Sequence, residues 1–172
     1  MNKLPNKINK TPRKFLLDDG GRKNETLPVI LIVDDHEDSR SMLKTLLEMW
    51  KYRVVEAIDG NEALIVAEQT HPDLILMDVK MGKMDGFEVT RNIRRSTTIK
   101  TVPIVFLSGC AENASKEKAF AAGGSDYLVK PLDFDELERA LAKYIRHPRE
   151  TVRSNPKPPV KLYGNVCLLQ PV

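Results

Sequence analysis

Cysteine is scarce in the 172-residue chain: Cys110 and Cys167 stand far apart, with no partner motif around either. That argues against a disulfide framework and against a cysteine-built zinc site, and it fits a reducing compartment. Long hydrophobic runs are missing too. A membrane span needs about 20 apolar residues, whereas the longest run, Leu27 to Val33, already contains Pro28. Behind the basic start (Lys3, Lys7, Lys10, Arg13, Lys14) the only apolar stretch is Phe15-Leu16-Leu17, too short for a secretory signal. These absences predict a reduced, soluble, cytoplasmic protein. An excess of one charge is also lacking, since 27 Lys and Arg face 24 Asp and Glu for a net +3.

That small net charge conceals a division. Residues 1–26 carry +4 and residues 147–172 carry +3, which leaves −4 on residues 27–146. An acidic body with basic ends is not the pattern of a domain that reads nucleic acid. The first segment holds Pro5, Pro12 and Gly20-Gly21, and the last holds Pro148, Pro156, Pro158, Pro159 and Pro171. Both read as flexible extensions of one domain over 27–146. With 41% hydrophobic and 30% charged residues, the chain has the means to build a core there.

Within 27–146, apolar runs alternate with helical periods. Val29–Val33 is a continuous β-branched run, as expected of a strand buried on both faces. Met42, Leu43, Leu46, Leu47 and Trp50 then recur at helical spacing. Arg53–Ala57 reads as a second strand closed by Asp59-Gly60, followed by a helix through Ala63, Leu64 and Ala67 that Pro72 ends. Leu74–Met77 is a third strand, terminating at Asp78. After a loop with Gly82 and Gly86 comes a helix through Phe87, Val89 and Ile93. Pro103–Leu107 is a fourth strand ending at Ser108-Gly109, and a helix from about Ala114 to Ala122 stops at Gly123-Gly124. Tyr127–Val129 is a fifth strand, and Asp133 caps a last helix with Leu137, Leu141 and Ile145, acids in its first turn and Lys143 and Arg146 in its last. Five βα units of this kind imply an α/β fold: a doubly wound parallel sheet with helices on both faces.

In such open sheets, ligands bind beyond the carboxyl ends of the strands. The polar residues found there are Asp34-Asp35, Asp78, Ser108 and Lys130. An Asp at one strand end is ordinarily a helix cap, but five such groups at four strand ends form a pattern. If the first and third strands are neighbours, three carboxylates converge, and their repulsion calls for a cation. Oxygen donors of this kind suit Mg²⁺. Lys130 adds a fixed positive charge and Ser108 a neutral donor, so the pocket suits a tetrahedral oxyanion beside a metal.

These residues carry a resemblance. Asp34-Asp35 after a β-branched strand, Leu76-Met77-Asp78, Met84-Asp85-Gly86, Ser108 after a Pro-led strand, and Asp126-Tyr127 with Lys130-Pro131 resemble the receiver domain of two-component response regulators. The likeness covers 27 to about 146 and implies a flavodoxin-like five-stranded sheet of order 2-1-3-4-5. It implies Asp78 as phosphoacceptor, attacking the phosphohistidine of a histidine kinase or phosphotransfer protein to form an acyl phosphate. It also implies Mg²⁺ held by Asp34, Asp35, Asp78 and the backbone carbonyl of Lys80, and Lys130 paired first with Asp78 and then with the phosphoryl group. Ser108 would swing to donate to a phosphoryl oxygen, Tyr127 would move inward as Ser108 vacates its place, and the bond before Pro131 would be cis. Lys80 and Cys110 occupy positions that influence phosphoryl lifetime in the family. Two departures stand out: Gly82 follows Met81 where the family usually has proline, which favours a more mobile loop, and Ser108 stands where threonine is commoner.

The expected function is that of a stand-alone, single-domain response regulator whose phosphorylation switches binding of a downstream protein through the face around Tyr127–Pro131, or which relays phosphate onward. The 26 residues after 146 are too few for a DNA-reading module, so no direct DNA contact is expected. The expected partners include a second copy on activation, and no turnover enzyme is expected. One alternative is a receiver-like module that binds partners without phosphate. Another is an aspartyl-phosphate-forming phosphohydrolase, which would want a second Asp where Lys80 stands. Of the remaining features, His36 is expected near the start of the first helix rather than as a ligand, because hard Mg²⁺ prefers oxygen. Cys110 reads as a neutral loop thiol and Trp50 as packing. Arg94, Arg95 and Lys100 read as a solvated basic patch, and the apolar island at 160–169 as floppy.

Overall fold

Successive residues of a β-strand point to opposite faces, so a strand covered by helices on both sides must be apolar throughout. The computed structural model describes residues 27–82 and 84–145, and its three central strands follow this rule: β1 (Val29–Val33), β3 (Leu74–Asp78) and β4 (Ile104–Ser108) are buried at every position. At the edges, β2 (Arg53–Ala57) and β5 (Asp126–Val129) are only partly covered. All neighbours pair in parallel, in the order β2-β1-β3-β4-β5. This is the doubly wound, flavodoxin-like sheet of order 2-1-3-4-5 that the resemblance implies.

The helices are α1 (Glu37–Met49), α2 (Gly60–Thr70), α3 (Gly86–Arg95), α4 (Asn113–Ala121) and α5 (Phe134–Tyr144). Alternate strand residues divide into two cores. Leu31, Val33, Ile75, Met77, Ile104 and Phe106 pack under Ala63 and Ala67 of α2, Val89 and Ile93 of α3, and Ala119 of α4. Ile30, Ile32, Leu74, Leu76, Val105 and Leu107 pack under Leu43 and Leu47 of α1 and Leu137 and Leu141 of α5. Removing one such side chain from water contributes about 1.5–3 kcal/mol, so the two cores dominate the fold's stability. Trp50 packs partly buried against the α1/α5 core, as its helical spacing suggested.

Element boundaries depart from the sequence reading where capping chemistry decides them. Asp59 opens α2 rather than closing β2, since its carboxylate accepts from the Glu62 amide at 2.9 Å while the Glu62 carboxylate accepts from the Ile58 amide at 2.8 Å. Asp85 and Asp133 cap α3 and α5 with carboxylates that accept from the Glu88 and Glu136 amides, each cap worth about 1 kcal/mol. Helix α2 ends before Pro72, with His71 in the left-handed region at φ 46°. Helix α4 stops as expected at Gly123, whose φ of +100° strains any residue with a Cβ. Residues 1–26, Arg146, the 147–172 segment with its apolar island, and Cys167 lie outside the described residues, as does Lys83.

The parallel register sets the carboxyl ends of the strands side by side. Val33 lies opposite Met77, Asp78 opposite Leu107, and Ser108 opposite Val129. Each polar group following an apolar run therefore comes out on one rim. Gly86 closes that rim: a Cβ there would lie 2.2 Å from the Asp78 carbonyl oxygen, so only glycine lets α3 start this close to the end of β3.

Candidate functional site

Among the described residues, Asp34, Asp78, Thr90 and Ser108 are the buried polar ones, and three of the four were singled out from the sequence as strand-end groups. A buried carboxylate needs a charged or hydrogen-bonding partner. Here one side chain serves two. The Lys130 ammonium donates to Asp78 Oδ1 at 2.6 Å and to Asp34 Oδ2 at 2.9 Å. Lys130 is carried there by the last residues of β5, where its own amide donates to the Ser108 carbonyl at 2.7 Å, and its peptide bond to Pro131 is cis.

The remaining oxygen of Asp34 accepts from the His36 amide at 2.9 Å, while Asp35 is exposed and meets the His36 imidazole Nδ1 at 2.7 Å. His36 is the residue immediately before α1, where the sequence placed it, and makes no side-chain cap. Lys80 is exposed on the loop after β3, and its backbone amide reaches the Asp78 carboxylate. Of the neighbouring loop residues, Met81 is buried in the core, and Gly82 is exposed with open space around it.

The two buried acids differ in ionisation. Burial pushes the Asp78 carboxyl above its ordinary value, which the Lys130 ammonium only partly offsets and the nearby Asp34 charge reinforces. Burial also pushes Asp34 upward, but bonds from Lys130, the His36 amide and Ser39 outweigh it and hold its carboxyl below the ordinary value. Lys130 is disfavoured as a cation by burial, yet the two carboxylates hold its pKa up. Asp34 and Asp78 share that one ammonium, and the Asp35 carboxylate lies within 4.8 Å of Asp34 and His36 ligand atoms. A set of carboxylate oxygens with surplus negative charge fits a hard divalent cation better than it fits any soft metal.

Ser108 Oγ accepts from the Cys110 amide at 3.1 Å. Tyr127 is buried, with its hydroxyl donating to the Cys110 carbonyl at 2.6 Å, so the aromatic lies inward. Cys110 is half-buried, and its Sγ takes a bond from the Ser115 hydroxyl at 3.4 Å. Its backbone ties Ser108 to Tyr127, a role that no side-chain pattern in the sequence could signal. Arg94 corrects the reading of a solvated patch. Its guanidinium is half-buried and donates to the carbonyls of Gly123 (2.8 Å), Lys100 (3.0 Å) and Val102 (2.9 Å), while Arg95 and Lys100 are exposed. The arginine ties the end of α3 to the α4–β5 turn because three orphan carbonyls converge there.

Comparison with known proteins places this architecture. The family model for the response regulator receiver domain matches residues 30–142. The transcriptional regulatory protein ZraR of Salmonella typhimurium is 35% identical over 137 residues, 80% of this chain and 31% of that protein. ResD of Bacillus subtilis, also a transcriptional regulatory protein, is 37% identical over 80% of this chain and 55% of its own length. The chain thus spans from about a third to just over half of these relatives. Among solved structures, the chemotaxis protein CheY4 of Vibrio cholerae superimposes with a TM-score of 0.67 at 32% identity, covering 70% of this chain and all of that one. The receiver domain of the sensor histidine kinase PA1611 from Pseudomonas aeruginosa, with a magnesium ion coordinated in its active-site cleft, gives 0.65 at 34% identity over 69% and 98% of the two chains. From β1 to α5, this chain belongs to the family of response regulator receiver domains of two-component signalling.

Proposed function

We propose that Asp78 is a phosphoacceptor and that the chain works as a phosphorylation-controlled switch. The observation carrying this reading is the single Lys130 ammonium shared between two buried carboxylates at 2.6 and 2.9 Å, at the carboxyl rim of the sheet. An Asp78 oxygen attacks the phosphorus of a phosphohistidine on a kinase or phosphotransfer protein. The O–P bond forms as the N–P bond breaks, and the histidine nitrogen leaves as the imidazole. Asp34, Asp35, Asp78 and the Lys80 carbonyl would hold Mg²⁺, which would offset the charge on the transferring oxygens.

Lys130, already at Asp78, follows the charge from the carboxylate to the phosphoryl oxygens. Ser108 Oγ accepts from the Cys110 amide and keeps its own proton to donate to a phosphoryl oxygen. The response is read by a protein partner at the face of α4, Tyr127–Pro131 and α5. We read 27–146 as the receiver and 1–26 and 147–172 as extensions of it, working in the cytoplasm. Among the described residues no helix is long and apolar enough to cross a membrane. The group transfer ends on the protein itself, so turnover of external phosphoesters is not expected. Lys80, an exposed amine, cannot act as the second catalytic acid of a phosphohydrolase.

Incubation with Mg²⁺ and acetyl phosphate, followed by intact mass, tests this. One added phosphoryl group is expected, absent in Asp78→Asn or when excess chelator is present from the start, and lost at alkaline pH. A wild-type protein unlabelled after prolonged incubation refutes the phosphoacceptor role and leaves a partner-binding module that needs no phosphate.

A further inference from the structure

We propose that Arg40 is a positioning residue for the acid pair: its guanidinium, steered by Glu56, fixes the peptide joining Asp34 to Asp35 and so aims the Asp35 carboxylate. The inference deepens the reading of Asp34 and Asp35 as cation ligands and rests on it.

Arg40 lies on the first turn of α1, with only 12% of its side chain exposed, and its Nη1 donates to the Asp34 carbonyl at 2.9 Å. Its Nε lies 3.6 Å from Glu56 Oε1 on β2, an electrostatic contact too long for a hydrogen bond, and that Nε is buried with no hydrogen-bond partner. A guanidinium that leaves one donor unpaired while another meets a backbone carbonyl is held by that carbonyl and by the Glu56 charge together. Lys44, one turn along α1, takes the other Glu56 oxygen at 2.6 Å and touches nothing of the acid pair. From the opposite side, the Asp34 amide donates to the Ala57 carbonyl at 3.3 Å. Both peptide planes of Asp34 are thus pinned, one by β2 and one by Arg40.

The side chains of the pair are not equally secured. The Asp34 carboxylate has Lys130 and the His36 amide. Among the described residues, the Asp35 carboxylate meets only the His36 imidazole, itself 76% exposed. Because the peptide unit is planar, fixing the Asp34 carbonyl fixes the direction in which the Asp35 Cα leaves it. Arg40 therefore fixes the backbone from which the Asp35 side chain leaves, beside Asp34 and His36.

Two roles for this arginine have opposite signs. As a bare positive charge it repels a cation, so its removal strengthens binding. As a positioning group its removal weakens binding, and partners that orient metal ligands typically contribute about 10–100-fold in affinity. Mg²⁺ titrations without phosphodonor, followed by amide NMR shifts, separate the two. Arg40→Met is expected to raise the Mg²⁺ dissociation constant by about 10-fold, the low end of that range, and to shift the Asp35 amide in the metal-free protein. Lys44→Met, which removes the same charge from the same helix, is expected to leave affinity unchanged or tighter. Should Arg40→Met not fold, Arg40→Lys replaces it. One ammonium cannot span the Asp34 carbonyl and Glu56 together, so weaker binding is still expected although the charge is kept. Arg40 variants that bind Mg²⁺ as tightly as wild type, or more tightly, overturn the inference alone. A wild-type protein that binds no Mg²⁺ overturns the cation-site reading and this inference with it.

Discussion

Lys130→Met tests the electrostatics of the site most directly. The ammonium is the shared partner of Asp34, which is fully buried, and Asp78, which is 5% exposed. Methionine keeps most of the volume and removes the charge. Stripping the partner from a buried ion pair typically costs about 3–5 kcal/mol. Lys130 keeps 28% of its side chain in water, and solvent screening lowers the expected loss to about 2–4 kcal/mol at neutral pH. For a domain of this size that is roughly 10–20 °C in melting temperature. The variant relieves its two unpaired carboxylates by protonation, so its deficit shrinks as pH falls. Mg²⁺ should recover part of the loss by replacing the missing charge.

Thermal melts from pH 5 to 8, with and without Mg²⁺, measure all three effects. The same substitution in an Asp78→Asn background, with one carboxylate gone, should cost less than half as much. A loss below about 1 kcal/mol in the single variant contradicts the pairing, as does a strictly additive double mutant.

Three further outcomes follow from other parts of the structure. The Asp78 carboxyl lies above its ordinary 3.8 in the folded protein, so the protonated acid is favoured on folding; its contribution is present below that value and is lost as pH rises through the folded pKa. Asp78→Asn should therefore match wild type at acid pH and exceed it in urea midpoint at pH 7, and equal midpoints at pH 7 would contradict the burial argument. In Gly86→Ala, a Cβ 2.2 Å from the Asp78 carbonyl must displace α3 or the end of β3. A loss of about 2–3 kcal/mol is expected in urea unfolding, with slower labelling by acetyl phosphate. Arg94→Met strands three carbonyls at the α3, α4–β5 and 100–102 junction, and about 1–3 kcal/mol of lost stability with phosphorylation retained is the expected result.

The uninterrupted apolar runs of β1, β3 and β4 and the helical spacing of α1, α3 and α5 were legible because each pattern reports burial directly. Asp34, Asp78, Ser108 and Lys130 were legible for a related reason: a polar group ending a run that is buried on both faces must come out at the carboxyl rim of a parallel sheet. Capping was partly hidden. Asp133 stood clear in the sequence, whereas Asp59 was read as the end of a strand because its bond to the Glu62 amide depends on local dihedrals. Arg94 was misread because nothing in Arg-Arg-Ser says that one guanidinium turns inward to three carbonyls while its neighbour stays in water.

Local pattern thus determined the elements, their order and the polar groups that end them, since hydrophobic periodicity and capping act over a few residues of chain. Tertiary structure alone decided which of those groups meet. Lys130 bonds to residues 52 and 96 positions earlier in the chain. The Cys110 backbone joins Ser108 to Tyr127, and Arg40 reaches the Asp34 carbonyl beside Glu56. Contacts of this kind depend on strand order and register, which emerge only when helices cover both faces of the sheet, and a charge carries no mark in the sequence of the partner it will find across that fold.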